Sequence, residues 1–285
     1  MARVEIENAV RRTDPEGEFS PLVLDSPHTG MLFPEDFRPG LDIKTCEKVA
    51  DWFVEELFSG GLQNGAIFVE ALFRRAYIDP NRALTDIDNA MLSEDWPGEI
   101  TDSGKGDRGT SLIWRLIEGD KPIYDRKLSV AEVQNRIERY WKPYHQVLAE
   151  ALHETYERFG VFYHINCHSM PEWGDARWGD GGLRRADFVI GTRDGQTASD
   201  EFVEVVRSSL ESSGYSVALN ELFKGVDLIQ RYSNPESRRD SLQIEVNRGI
   251  YMDEAAITRS ERFGATQAAI SKMLREVRLF AESKL

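Results

Sequence analysis

Five histidines occur in the 285 residues, at positions 28, 145, 153, 164 and 168. His28 follows the apolar run Pro21-Leu-Val-Leu-Asp25, and His168 follows Val161-Phe-Tyr-His-Ile-Asn166. Each run is short enough to read as a buried strand, so each imidazole is expected in the loop beyond a strand end. Neutral imidazole is the commonest protein ligand for zinc, and a catalytic zinc takes three protein ligands and keeps a position for water. Two histidines and a carboxylate make one such set, and a further carboxylate can then take a proton from water. Glu245, the carboxylate inside Gln243-Ile-Glu-Val-Asn-Arg248, is the candidate base. No His-Glu-x-x-His is present, and a single histidine at a strand end is more often a structural hydrogen-bonding residue than a ligand, so spacing alone does not establish metal ligation. His164 shares a strand face with Asn166 and His168 by the period of two but lies deeper, which suits a core histidine; His153 is expected at the surface. Cys167 must point away from His168, so a thiol–imidazole pair is not expected and a small buried side chain is.

These residues need a frame. Ala66–Glu70, Ala76–Asp79, Asp187–Gly191, Tyr215–Leu219 and Leu242–Val246 read as further strands. Val49, Phe53, Leu57 and Phe58 are spaced as one helix over about 45–58, stopped by Gly60-Gly61. Ser129-Val-Ala-Glu132 is a capping box, opening a helix that Pro143 kinks and Gly160 ends. Helices are also expected over about 199–213 and 257–282. Strands alternating with helices predict an α/β fold: one domain over 1–285, with a mixed, mostly parallel sheet and helices on both faces. Stretches 89–127 and 172–185, rich in Gly, Asp and Trp, read as loop insertions. In such sheets ligands bind beyond the carboxyl ends of strands, which is where His28, Asp79-Pro-Asn-Arg82, His168 and Glu245 fall.

Composition removes several alternatives. Forty-nine acidic against thirty-five basic residues give a net charge of −14, which repels phosphate backbones and argues against a nucleic-acid partner. No apolar run approaches a membrane span, and the first residues have no signal-peptide pattern. Two cysteines, Cys46 and Cys167, exclude a disulfide framework and suit a reducing cytoplasm.

Ser26-Pro-His-Thr-Gly30, Tyr77-Ile-Asp-Pro-Asn-Arg82, Pro143-Tyr-His145, Cys167-His-Ser-Met-Pro171, Gly191-Thr-Arg-Asp-Gly195 and Gln243-Ile-Glu-Val-Asn-Arg248 with Tyr251-Met-Asp253 occur in this order. The set resembles the N-formylglutamate amidohydrolase family over about Leu22 to Asp253. That resemblance implies a zinc carboxypeptidase-like (phosphorylase/hydrolase-like) fold. It also implies hydrolysis of N-formyl-L-glutamate, or a similar small N-acyl amino acid, to carboxylate and free amino acid, late in histidine degradation. It implies zinc or another divalent cation held by His28 and His168. Zinc carboxypeptidases carry an acidic ligand three residues after the first histidine, where Met31 stands here. Asp51, at the head of the first helix, is the expected replacement, with Glu47 and Asp79 in reserve. Glu245 resembles the general base. Asn81 and Arg82 resemble a pair that holds the substrate α-carboxylate, which a planar guanidinium suits. Arg82 or Arg248 is the expected cation beside the oxyanion. His145 is expected in a structural or supporting role. Asn166 stands where the family usually has Asp, and Val226 where it has Gly.

Overall fold

The computed structural model describes residues 3–117 and 120–285. Its eight-stranded sheet runs in the order β1 (Arg3–Ile6), β2 (Val10–Thr13), β4 (Ile67–Ala71), β3 (Leu22–Ser26), β7 (Phe162–Met170), β10 (Arg239–Asn247), β8 (Phe188–Gly191) and β9 (Val217–Leu219). β4, β3, β7 and β10 are mutually parallel, as are β8 and β9; β10–β8 and the β1–β2–β4 edge are antiparallel. The expected mixed, mostly parallel α/β sheet is therefore observed. A small hairpin, β5 (Leu116–Ile117) with β6 (Lys121–Pro122), lies within the otherwise irregular stretch 89–127.

Side-chain alternation sorts the two faces. Ile165, Cys167, Leu242, Ile244 and Val246 pack into a core with α6 (Asp200–Ser212) and α8 (Phe263–Ser283). Val23, Ile67, Val69 and Phe162 pack on the other face against α5 (Lys142–Phe159). Toward the carboxyl ends of β3, β7 and β10 that second face turns polar and remains buried: Asp25; His164, Asn166 and His168; Ser241, Gln243 and Glu245. Parallel pairing sets these one against another, with Asp25 beside Asn166, Asn166 beside Gln243, and His168 beside Glu245.

α4 (Val130–Arg136) carries the capping box, both of its hydrogen bonds in place. The break at Pro143 is resolved by a wide π turn over Ile137–Trp141 before α5, so the proline sits in the first turn of the new helix, where no amide proton is needed.

Five expectations need correction. The helix over 45–58 is instead α1 (Ile43–Glu47) and α2 (Val54–Leu57), with Phe53 in left-handed backbone (φ 63) between them. Asp51 thus lies in a break and not at a helix head; its amide bonds His28 O at 3.1 Å, pinning the break to the loop after β3. Gly60-Gly61 opens a further turn, α3 (Gly60–Gln63), rather than stopping a helix. Ala76–Asp79 is a buried turn, because the Asp79 amide is taken by Leu112 O and no strand among the described residues pairs with it. His168 is inside β7, which runs on to Met170, and not in the loop beyond.

Candidate metal centre and active site

Gly30 brings the loop after β3 against the loop after β4: a Cβ there would sit 2.3 Å from Phe73 O. That close approach puts His28 beside β7. His28 Nδ1 and His168 Nδ1 are 3.0 Å apart, and Asp51 Oδ2 lies 3.3 and 2.9 Å from them. All three residues are buried.

The opposite edge of each ring has its own partner. His28 Nε2 is 2.7 Å from Asp79 Oδ1, and a carboxylate can only accept, so Nε2 carries the proton. His168 Nε2 is 2.7 Å from Asn166 Oδ1 and donates to it; Asn81 Nδ2 stands 3.2 Å from the same nitrogen. Both Nδ1 atoms therefore point lone pairs at one place, beside a carboxylate oxygen. Three acceptors converge there with no proton to share. Ligand atoms about 2.0–2.2 Å from a tetrahedral ion lie roughly 3.3–3.6 Å from one another; the three atoms here are 2.9–3.3 Å apart, so a small outward shift of the side chains brings them to that spacing. The donor set fits a divalent cation.

Of the carboxylates considered, Asp51 joins this cluster. Asp79 backs His28 and also accepts from Arg75 (3.0 Å) and Trp114 (3.1 Å). Glu47 is turned away, 3.9 Å from Arg74, whose guanidinium stacks on Trp52 and Phe33. Burial raises the proton affinity of Asp51, but the two imidazoles packed against it outweigh burial and hold its carboxyl well below the ordinary value, so Asp51 stands ionised beside them. Burial is likewise outweighed at Asp79 by His28, Arg82 and Arg75.

Glu245 stands beside His168 on the neighbouring strand, on the same face, and its Oε1 accepts from Gln243 (2.9 Å). Burial first, and then the negative charge of Asp51, raise it well above the usual carboxylate range; Arg75, Arg248 and Arg185 oppose this.

The expected substrate residues have divided environments. Arg82 Nε donates to Thr110 O and Nη1 to Asn81 O, both at 2.8 Å, with Asp79 at 3.6 Å from Nη1. Nη2 makes no hydrogen bond among the described residues, and Asn81 and Arg82 help to line a cavity. The Asn81 side chain accepts from the Leu228 amide (3.1 Å), tying α7 (Asp227–Tyr232) to the site. Arg248 lies behind Asp51, donating to Ala50 O, Asp51 Oδ1 and Ser169 Oγ, so it braces the carboxylate.

Sequence reasoning missed Arg75. Its guanidinium spans Asp79 and Asp51 (3.0 and 3.9 Å) and stacks on Trp114. The Arg74-Arg75 dipeptide gave no sign of which arginine turns inward.

Asn166 has a physical reason. Its Nδ2 donates to Asp25 Oδ1 (2.8 Å) while its Oδ1 accepts from His168, a double duty that an ionised Asp cannot perform. His145 is used on both sides, by Tyr232 Oη and Pro80 O at 2.8 Å each, and stacks on Trp141. Burial lowers its pKa to about 4. Cys167 is a free, buried thiol in the opposite core.

Fold and site together define a hydrolase of the N-formylglutamate amidohydrolase family, whose sequence profile matches residues 20–252; the chain belongs to that family. It is similar to the N-formylglutamate deformylases of Pseudomonas putida (27% identity over 261 residues, 89% of this chain and 91% of that one) and Pseudomonas aeruginosa (28% over 270 residues, with the same coverage). Its fold matches the crystal structure of N-formylglutamate amidohydrolase from Ralstonia eutropha JMP134 with a TM-score of 0.94 and 40% identity, covering 98% of this chain and all of the other. No helix among the described residues is long and apolar enough to cross a membrane.

Proposed function

We propose that the protein is a metal-dependent amidohydrolase that cleaves N-formyl-L-glutamate to formate and glutamate. The observation that carries this reading is the convergence of His28 Nδ1, His168 Nδ1 and Asp51 Oδ2, in a chain of this family, with Glu245 beside them. Zinc is the ion such a set suits best, though nitrogen–oxygen ligands also admit other divalent ions. A bound dication would supply polarisation of the formamide carbonyl and acidification of water, and its charge would offset that of Asp51, lowering the proton affinity of Glu245.

Asp79 and Asn166 hold the two imidazoles in the tautomer that presents Nδ1, and Arg248 holds Asp51. Arg82 presents Nη2 to the substrate α-carboxylate, beside Asn81. Glu245 takes a proton from water as its oxygen attacks the formyl carbon. As the carbon–nitrogen bond breaks, Glu245 passes that proton to the leaving amine. Arg75, not foreseen from the sequence, pairs with Asp79 at 3.0 Å and lies 3.9 Å from Asp51, and in this reading it steadies the developing oxyanion. The substrate is a small molecule, met in the cytoplasm as a late step of histidine degradation.

The test is formate release from N-formyl-L-glutamate by protein purified without chelator, with elemental analysis of the same sample. Turnover abolished by chelation and restored by zinc is the expected result. An absence of bound metal together with an absence of turnover overturns the reading. N-acetyl- and N-succinyl-glutamate and N-formyl-aspartate, run alongside, separate this activity from that of a deacylase for another N-acyl amino acid.

A further inference from the structure

Asn81, whose Nδ2 lies 3.2 Å from His168 Nε2, and Arg82 also line a cavity of about 340 Å³, walled by stretches 81–86, 101–105 and 226–230 and by Arg193. That is the size of a small-molecule site, roughly 300–1,000 Å³. Its charge is unusual for a chain of net charge −14. Arg82, Lys105 and Arg193 line it, against Asp86 and Asp227. Asp227 is already held by Arg231 through two hydrogen bonds (2.9 and 3.0 Å), and Asp86 accepts from Ser103 (2.8 Å). Lys105 Nζ has no hydrogen bond and no ion pair within 4.0 Å among the described residues. Burial and then the Arg82 charge lower its proton affinity, as expected of an ammonium lacking a close anion. Arg193 Nε is buried without a partner, and Nη1 reaches only Gly225 O at 3.4 Å.

Arg193 belongs to Gly191-Thr-Arg-Asp-Gly195, a segment that the hydrolytic chemistry leaves unused. A Cβ at Gly191 would sit 2.6 Å from Phe223 O, so glycine there lets stretch 223–225 close on the Arg193 turn. Arg193 and Asp194 both take left-handed backbone (φ 49 and 59), and the Arg193 amide bonds Lys224 O at 2.7 Å. Gathering three cations around one cavity is repulsive and is relieved by an anion.

Resting on the reaction proposed above, we infer that Lys105 and Arg193 are specificity-determining residues that hold the side-chain carboxylate of a dicarboxylic N-acyl amino acid, while Arg82 takes its α-carboxylate. A monocarboxylic substrate leaves Lys105 and Arg193 unpaired in a half-buried cavity and is disfavoured for that reason.

The experiment compares Lys105→Met, Arg193→Met and the double variant on N-formyl-L-glutamate and N-formyl-L-glutamine, which differ only in carboxylate against neutral amide. Each single variant is expected to raise KM for the glutamate compound about 10–100-fold, the worth of a charge-assisted hydrogen bond, with kcat within about threefold. KM for the glutamine compound is expected to stay within about threefold, so that the double variant no longer distinguishes the two. Variants that keep the wild-type preference, or that lose both substrates equally, overturn the inference. Calorimetric titration with L-glutamate and L-glutamine gives a readout without turnover. Wild-type protein that hydrolyses neither compound, yet binds glutamate over glutamine through Lys105 and Arg193, overturns the reaction and keeps the cavity assignment. Hydrolysis of formylglutamate with unchanged selectivity in the variants does the reverse. Wild-type protein that neither hydrolyses nor prefers a dicarboxylate overturns both.

Discussion

His164 and His168 lie four residues apart on one strand and one face, and the chain treats them in opposite ways. At the inner position His164 spends both nitrogens, on Asp25 (2.8 Å) and Ser241 (2.6 Å). Asp25 is closed in turn by Tyr144 (2.5 Å) and Asn166. Burial pushes Asp25 toward the neutral form, but these partners outweigh it and hold the carboxylate below its usual value. At the outer position His168 spends one nitrogen on Asn166 and leaves the other aimed, with His28 and Asp51, at a shared point. The difference separates a polar core from a binding site. Both are buried and hydrogen-bonded; only at the outer end do unspent lone pairs converge.

The contrast is sharpest at the candidate base. Glu245→Gln is expected to lower kcat/KM for N-formyl-L-glutamate by about 10²–10⁴, the usual worth of a general base, with metal content unchanged. Formate release and elemental analysis check this, and near-wild-type turnover removes Glu245 from that role. His168→Ala and His164→Ala should fail differently. The outer variant is expected to purify with little metal. The inner one keeps its metal but loses about 3 kcal/mol of stability in urea unfolding, because Asp25 is left buried beside unmet partners. Metal loss from both variants in equal measure would erase the distinction.

His145 offers a pH test away from the outer site. Its folded pKa of about 4 lies below its unfolded value of 6.5, so the unfolded chain binds the proton first as pH falls. Stability from this group is complete above pH 6.5 and is lost as pH drops toward 4, by up to about 3 kcal/mol. His145→Gln should flatten that part of the stability–pH curve. Asp79→Asn, which weakens the backing of His28 along with the hold on Arg75, is expected to reduce metal affinity about 10–100-fold in a competition titration with a chelator. His153→Ala, on the exposed face of α5, should change unfolding stability by less than about 0.5 kcal/mol.

Alternation made much of this legible. The period of two put His164, Asn166 and His168 on one face and Cys167 on the other, as observed. Strand and helix order gave the α/β architecture, and capping chemistry gave the start of α4. What depends on distant partners was not readable. Ala76–Asp79 has the composition of a strand, but the Leu112 carbonyl claims its amide and makes it a turn. Val49, Phe53 and Leu57 keep helical spacing although Phe53 breaks the helix so that Asp51 can face His28. Arg3–Ile6 pairs as an edge strand even though its side chains are exposed and charged or isolated. The inward turn of Arg75 follows from Asp79, four residues on, together with Asp51 and Trp114, which are distant in sequence.

The one-to-one parallel pairing of β7 and β10 has a consequence for how this sequence can change. Insert a single residue between Arg239 and Gln243, and Glu245 swings to the far side of the sheet, among Ile165 and Cys167. Insert two, and the carboxylate returns to the correct side but is carried roughly 7 Å along the strand, past His168. Substitutions along β10 are open to trial one at a time; changes in its length are not.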